Sequence, residues 1–176
     1  MDFSEKFKFC PACGSERFIT NNFKSKRCEN CGFIYYFNPS SAAAAFILNK
    51  NNDLLLCRRA SEPAKGTLDL PGGFIDYNET GEEGIEREVM EEIGVELKNL
   101  KYLFSLPNDY TYSDLNIPTL DMFYECEIVE NVVLKANDDV SDSFYLPLKD
   151  IDPALFGLKS VKKAVEMFLT MQSAKI

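Results

Sequence analysis

The chain has 176 residues, 45% hydrophobic and 27% charged, which suits one globular domain with at most a small appendage and lets it bury a core without disulfides. Its net charge of −9 is uneven, with six Lys/Arg against four Asp/Glu in residues 1–31 and 13 against 24 in the rest, so the acidic body argues against a broad nucleic-acid surface. The longest apolar run, Ala42 to Leu48, is too short to span a bilayer, and the opening Met1 to Lys6 lacks the apolar stretch of a signal peptide; a cytoplasmic protein with no membrane partner is expected.

Residues 1–34 are rich in cysteine and short of aliphatic side chains. Cys10-Pro11-Ala12-Cys13-Gly14 is followed, after fourteen residues, by Cys28-Glu29-Asn30-Cys31-Gly32. Two residues between cysteines let both thiolates of one turn reach a single tetrahedral ion, and the Gly after each pair lets backbone N–H groups fold back toward the sulfurs. The doublet points to a small ribbon in which Cys10, Cys13, Cys28 and Cys31 hold one Zn²⁺. A pair of disulfides competes with this reading and is disfavoured in a reducing compartment; an iron–sulfur centre would use the same four ligands. A closed four-thiolate site keeps no open coordination position, so the ion is expected to be structural, and a segment this short needs such a staple to fold. Cys57 and Cys126 stand alone in apolar stretches and read as small buried hydrophobes.

Residues 35–40 read as a connector ending in a turn, and residues 41–176 as the main domain. Strands are predicted over 42–49, 53–58, 100–106, 119–129 and 143–147, and helices over about 80–93 and 160–172. One long helix between strands, then further strands and a final helix, predict an α/β chain with a mixed sheet and helices packed on both faces.

The segment from Pro71 to Val95 carries the chemistry. Gly72-Gly73 marks backbone that approaches something closely. Thr80-x-x-Glu83 is a capping box, Gly94 is a natural stop, and Ile85, Val89 and Ile93 form a buried seam between them. At 100° per residue, Glu88, Glu91 and Glu92 fall within about 100° of one another at the edge of that seam. Like charges three or four residues apart cost a few tenths of a kcal/mol each, and anions near a helix C-terminus about 0.3–1 kcal/mol apiece. Arg87 alone is not expected to offset this. The helix is therefore either a charged solvent face or a holder of hard cations, and oxygen donors without His suit Mg²⁺ or Mn²⁺.

Gly73, five residues, Glu79, seven residues, then Arg87-Glu88-Val89-Met90-Glu91-Glu92-Ile93-Gly94-Val95 resembles the Nudix box at every specified position. Arg58-Arg59, the run Gly66 to Gly73 and the strand from Ala42 resemble the usual approach to that box. The resemblance covers about 41–150, and the ribbon extends it toward the zinc-containing NADH pyrophosphatase and ADP-ribose pyrophosphatase branch. It implies a Nudix α/β/α sandwich preceded by a zinc ribbon. It also implies one to three Mg²⁺ or Mn²⁺ ions held by Glu88, Glu91, Glu92 and the Gly73 carbonyl, with Glu79 and Arg87 holding the loop against the helix. The implied reaction is attack of an ion-activated water on the diphosphate of a nucleoside diphosphate derivative, giving two monophosphates. Glu91, Glu92 or Asp139, the last in the stretch before Phe144 to Pro147, is the implied general base; for Asp139 a plain turn acid is the alternative.

Arg58, Tyr110 and Tyr112 are candidate substrate contacts, the tyrosines either stacking on a base or lying half-buried at a strand end. The run Ser105 to Ser113 departs from the Ser-Gln-Pro-Trp-Pro-Phe-Pro signature of NADH pyrophosphatases, and the chain has no Trp, so the substrate stays open among ADP-ribose, NADH, FAD and similar compounds. RNA decapping and the cleaning of oxidised nucleotides share this chemistry. A ligand sensor without turnover is the alternative function, its ribbon cations Lys24, Lys26 and Arg27 meeting nucleic acid or protein; the retained helix acids weigh against it. A homodimer is implied by analogy within the family.

Overall fold

In the computed structural model, which describes residues 3–112, 115–128, 134 and 140–174, the chain opens with three short strands. These are β1 (Phe18–Asn22), β2 (Ser25–Cys28) and β3 (Ile34–Tyr36), an antiparallel sheet in the order β1-β2-β3. Its core is little more than Cys10, Phe18 and Cys28 with Phe7 packed against them. Tyr35 and Tyr36, within the segment read as connector, pair with Lys26 and Ser25 of β2.

The larger unit follows as β4 (Ser40–Ile47), β5 (Asp53–Arg59), β6 (Leu68–Asp69), β7 (Gly72–Phe74), α1 (Gly81–Ile93), β8 (Leu97–Tyr112), β9 (Leu115–Ile128), β10 (Val140–Pro147) and α2 (Lys159–Ser173). One sheet runs β7-β4-β9-β8 and a second β10-β5-β6; β4 and β9 are parallel and the other pairs antiparallel. Side chains alternate across a strand. Ala43, Ala45 and Ile47 of β4, with Leu55 and Cys57 of β5, therefore face Ile85, Val89 and Ile93 of α1. Ala44, Phe46, Leu54 and Leu56 face Val161, Ala164, Val165 and Phe168 of α2. Burial on both faces explains why these strands read as continuous apolar runs rather than alternating ones. The result is the α/β/α sandwich expected from the sequence, and Cys57 and Cys126 are buried within it.

Two strands run at least four residues further than predicted. β8 continues through Pro107-Asn108-Asp109, past the predicted end at 106, because it is the edge strand of its sheet. There a proline's missing N–H interrupts no second ladder. Its partner β9 starts four residues before the expected 119 for the same reason: Asn116 to Pro118 pair with β8 alone, and the ladder to β4 begins at Thr119. Among the described residues no helix is long and apolar enough to cross a membrane.

Candidate active site

Both ends of α1 are set by its own residues. The Thr80 hydroxyl accepts the Glu83 N–H at 3.1 Å and the Glu83 carboxylate accepts the Thr80 N–H at 2.8 Å. Gly94 closes the helix with φ 71°, its N–H reaching the Met90 carbonyl. With Ile85, Val89 and Ile93 at zero exposure, the phase of the helix leaves Glu88, Glu91 and Glu92 beside β7.

The two glycines of β7 make that approach possible. Gly72 has φ 145°, and a Cβ there would lie 2.1 Å from the Ala43 carbonyl oxygen. Its N–H donates to Glu92 Oε2 at 2.9 Å. A Cβ on Gly73 would lie 2.5 Å from the Glu88 carboxyl carbon, so only a bare backbone fits against that carboxylate.

Arg87 ties the loop to the helix. Its Nε and Nη2 donate to the two carboxylate oxygens of Glu79 at 2.7 and 3.0 Å, a bidentate pair, and Nη2 also donates to the Phe74 carbonyl. Nη1 donates to Glu88 at 2.9 Å and to Glu91 at 3.1 Å. The hydrogen bonds from Arg87 and from the Asp76 N–H hold the Glu79 carboxyl below the usual glutamate range. Those to Glu79 and Glu88 raise Arg87 well above the usual arginine range. The expectation that Arg87 offsets little of the helix charge is corrected here: its fork serves three glutamates at once, two of them from the acidic trio.

Glu92 is 6% exposed, whereas the Glu91 side chain is half exposed. Together with Glu88, Gly72 and Gly73 they line one side of a cavity of about 270 Å³. The carboxylates are held by Arg87 and by the Gly72 N–H rather than drawn into one knot; among the described residues the four cysteines are the group whose ligand atoms all lie within 4.8 Å of one another. The donor set still fits a hard cation. It is all oxygen, it is pinned on a rigid helix, and the missing Cβ of Gly73 brings the backbone against Glu88.

The far side of the cavity carries groups that the sequence reading passed over. Arg59 Nη1 pairs with Asp69 Oδ2 at 2.5 Å, and Asp69 Oδ1 accepts the Leu70 N–H. Burial pushes the Asp69 carboxyl up, with Arg59 opposing it. Asp121, 8% exposed, accepts the hydroxyls of Thr119 at 2.6 Å and Ser160 at 2.5 Å, joining β9 to the first turn of α2. An acid in the middle of the apolar stretch Leu120 to Phe123 was the available signal for Asp121. Arg59 lay in the Arg58-Arg59 pair and Asp69 in the run Gly66 to Gly73, both already singled out.

Of the predicted substrate contacts, Tyr110 lines the cavity, with its ring edge-on to Phe74 at 5.3 Å. Tyr112 lies two residues further toward the hairpin tip, 61% exposed and outside the cavity lining. Arg58 is outside as well: its guanidinium donates to the Gly66 carbonyl on the surface, and strand alternation turns its neighbour Arg59 inward instead. Asp139 lies outside the described residues.

The ribbon cysteines form a second centre. Cys10 and Cys31 sulfurs lie 3.7 Å apart and those of Cys13 and Cys28 3.6 Å apart, with none in a disulfide. Tetrahedral Zn–S bonds of about 2.3 Å require sulfurs about 3.8 Å apart, so the spacing fits Zn²⁺ better than a disulfide, which needs about 2.05 Å. The N–H groups of Gly14 and Gly32 close each turn onto the carbonyls of Cys10 and Cys28. Backbone N–H groups of Cys31 and Asn30 lower the Cys28 thiol to about 6, whereas the Cys13 sulfur and desolvation raise that of Cys31 to about 12.

Comparison with known proteins places these features in context. Residues 38–166 match the NUDIX domain family. The chain is 34% identical over 103 residues to the NAD-capped RNA hydrolase NudC of Chromobacterium violaceum, covering 58% of this chain and 38% of that one. It is 24% identical over 166 residues to the NAD-capped RNA hydrolase NudC of Pseudomonas aeruginosa, covering 94% of this chain and 57% of that one. It thus spans about half the length of these relatives or less. The crystal structure of a NUDIX hydrolase from Nitrosomonas europaea superposes with a TM-score of 0.73 at 21% identity, covering 95% of this chain and 93% of the other, which shows the shared fold.

Proposed function

Because the chain belongs to the NUDIX family, we propose that it is a divalent-cation-dependent pyrophosphohydrolase acting on a nucleoside diphosphate linked to a second moiety. ADP-ribose, NADH and FAD are the candidate substrates, each split into two monophosphates. The observation that carries this reading is the docking of the bare Gly72-Gly73 backbone onto the carboxylates of Glu88 and Glu92 at the wall of a cavity. A merely solvated acidic face has no use for such a fit.

Glu88, Glu91, Glu92 and the Gly73 carbonyl would hold one to three Mg²⁺ or Mn²⁺ ions. When bound, these would neutralise the diphosphate and lower the pKa of the attacking water. Around them the chain's own groups have distinct tasks. Arg87 and Glu79 fix the loop, so the carboxylates keep their places without rearrangement. Glu92 is anchored to the Gly72 N–H and lines the cavity beside Glu88 and Glu91. Glu91, half exposed at the cavity mouth, is placed to take the proton of the attacking water. Asp139 stays a second candidate for that step. Arg59, in place of Arg58, faces the phosphate-bearing space, and Tyr110 with Phe74 forms a wall for a base. The zinc centre is structural, and the absence of disulfides goes with a reducing cytoplasmic setting.

The test is a panel of ADP-ribose, NADH, FAD and NAD-capped RNA with Mg²⁺ or Mn²⁺, read as monophosphate release. Wild-type protein is expected to cleave at least one. Glu91→Gln and Glu92→Gln are each expected to lose about 100-fold or more in kcat. Turnover that survives full chelation would refute the proposal, and tight binding without turnover would favour the sensor reading.

A further inference from the structure

The cavity beside the acidic helix is small for the compounds proposed above. Its volume of about 270 Å³ lies at the lower edge of the roughly 300–1,000 Å³ of small-molecule sites, and a dinucleotide brings two nucleosides. A second groove of about 550 Å³ starts where this cavity ends, since Asn108 and Thr119 line both. One wall of the groove belongs to the ribbon, through Phe23 and Lys24 in the turn between β1 and β2. The other belongs to the β8–β9 hairpin and to Lys159 at the start of α2.

The ribbon turn has the character of a presented surface. Phe23 is 91% exposed, and Lys24 Nζ lies 5.8 Å from its ring centre. The turn is nevertheless pinned: the Lys24 N–H donates to the Asn22 side chain, and the Lys24 carbonyl accepts the Phe37 N–H. Of the three ribbon cations, Lys26 is turned inward, donating to the Phe7 carbonyl and lying over Phe18. Lys24 instead lines the groove. Neither Lys24 nor Lys159 is ion-paired among the described residues. Among the described residues of the groove lining, Lys24 and Lys159 stand against the single acid Asp109, in a chain of net charge −9. An exposed aromatic ring beside unpaired ammonium groups is chemistry that receives a nucleoside, the base stacking on the ring and the ammonium groups donating to the sugar hydroxyls.

We propose that this groove is a second substrate subsite, in which the zinc ribbon supplies a wall that receives the second nucleotide half of a dinucleotide. Its base lies on Phe23 and the adjoining ribose beside Lys24 and Lys159, while its phosphate stays in the diphosphate at the acidic helix. The proposal rests on the pyrophosphohydrolase reading and gives the ribbon a part in selecting substrate while its metal stays structural.

The experiment compares NADH, which has two bases, with ADP-ribose, which has one, in wild type, Phe23→Ala and the double variant Lys24→Ala/Lys159→Ala. One base–aromatic stack is worth roughly 10–100-fold in affinity. Phe23→Ala is therefore expected to raise KM for NADH at least about tenfold, leaving kcat and the ADP-ribose constants within about twofold. The double variant should move the same way. Zinc content and Tm are measured alongside, and Phe23→Ala should preserve both because its ring makes little packing contact. If wild type cleaves neither these two compounds nor FAD or NAD-capped RNA, the proposed function fails. The subsite is then judged by titrating NADH through its own fluorescence in Ca²⁺ buffer, where Phe23→Ala should weaken Kd by a similar factor. Constants for NADH that do not move, or that move equally for ADP-ribose, would overturn the subsite; a groove that serves a protein partner gives the first of these results.

Discussion

Gly73 and Glu88 show how a single missing atom shapes the site. An added Cβ would strike the end of a flexible glutamate rather than the backbone, so the fold can absorb it while the carboxylate moves. Gly73→Ala is therefore expected to keep a near-native Tm and lose roughly 100-fold in hydrolysis, the scale of a misplacement near 1 Å. Gly72→Ala meets the Ala43 carbonyl instead and should lower Tm first. Paired measurement of Tm and kcat separates the two. The Glu79–Arg87 pair gives a pH signature. Because its Arg87 hydrogen bonds depress the folded-state value of Glu79, the pair stabilises the fold above the ordinary glutamate range. That stability is lost as pH falls from there through the depressed value. The Tm advantage of wild type over Glu79→Gln should thus be full at neutral pH and shrink in acid; an advantage independent of pH would contradict the assignment.

At the level of elements, α1 was legible because its information is local. The capping box, the stop at Gly94 and the four-residue apolar seam all act within the helix or one residue beyond it, and the observed bounds differ from the predicted ones by one residue. Thr80→Ala is expected to cost about 1 kcal/mol, measured by urea denaturation, since it removes the acceptor for the Glu83 N–H. β8 was half-read for the opposite reason. Whether Pro107 ends a strand depends on whether its strand lies at the edge of a sheet, and the sequence of β8 does not say where β4 and β9 will be.

At the scale of the whole molecule, the two units are held by different forces. The sandwich has two apolar clusters, one on each face of its sheets, with Phe46 stacked on Phe168 at 4.0 Å. The apolar cluster of the ribbon is only Cys10, Phe18 and Cys28, with Phe7 packed against it. Removing zinc with a strong chelator should therefore release about one ion per chain and expose residues 7–37 to proteolysis, leaving the far-UV signal of the larger unit largely intact. Cooperative loss of both units would show that the ribbon and the sandwich fold as one.

The sequence alone determined the four-cysteine cluster of the ribbon, the acidic helix with its ends and seam, the layered α/β class and the membership signalled by the spacing from Gly73 to Val95. These are periodicities and short spacings, and local geometry fixes them. Tertiary structure alone decided that Arg59 rather than Arg58 enters the cavity, that Arg87 serves three glutamates, that Asp69 and Asp121 face the same space, and that a ribbon turn adjoins it. Each of these depends on which strands pair and which face a side chain takes, and those are settled by contacts between residues far apart in the chain.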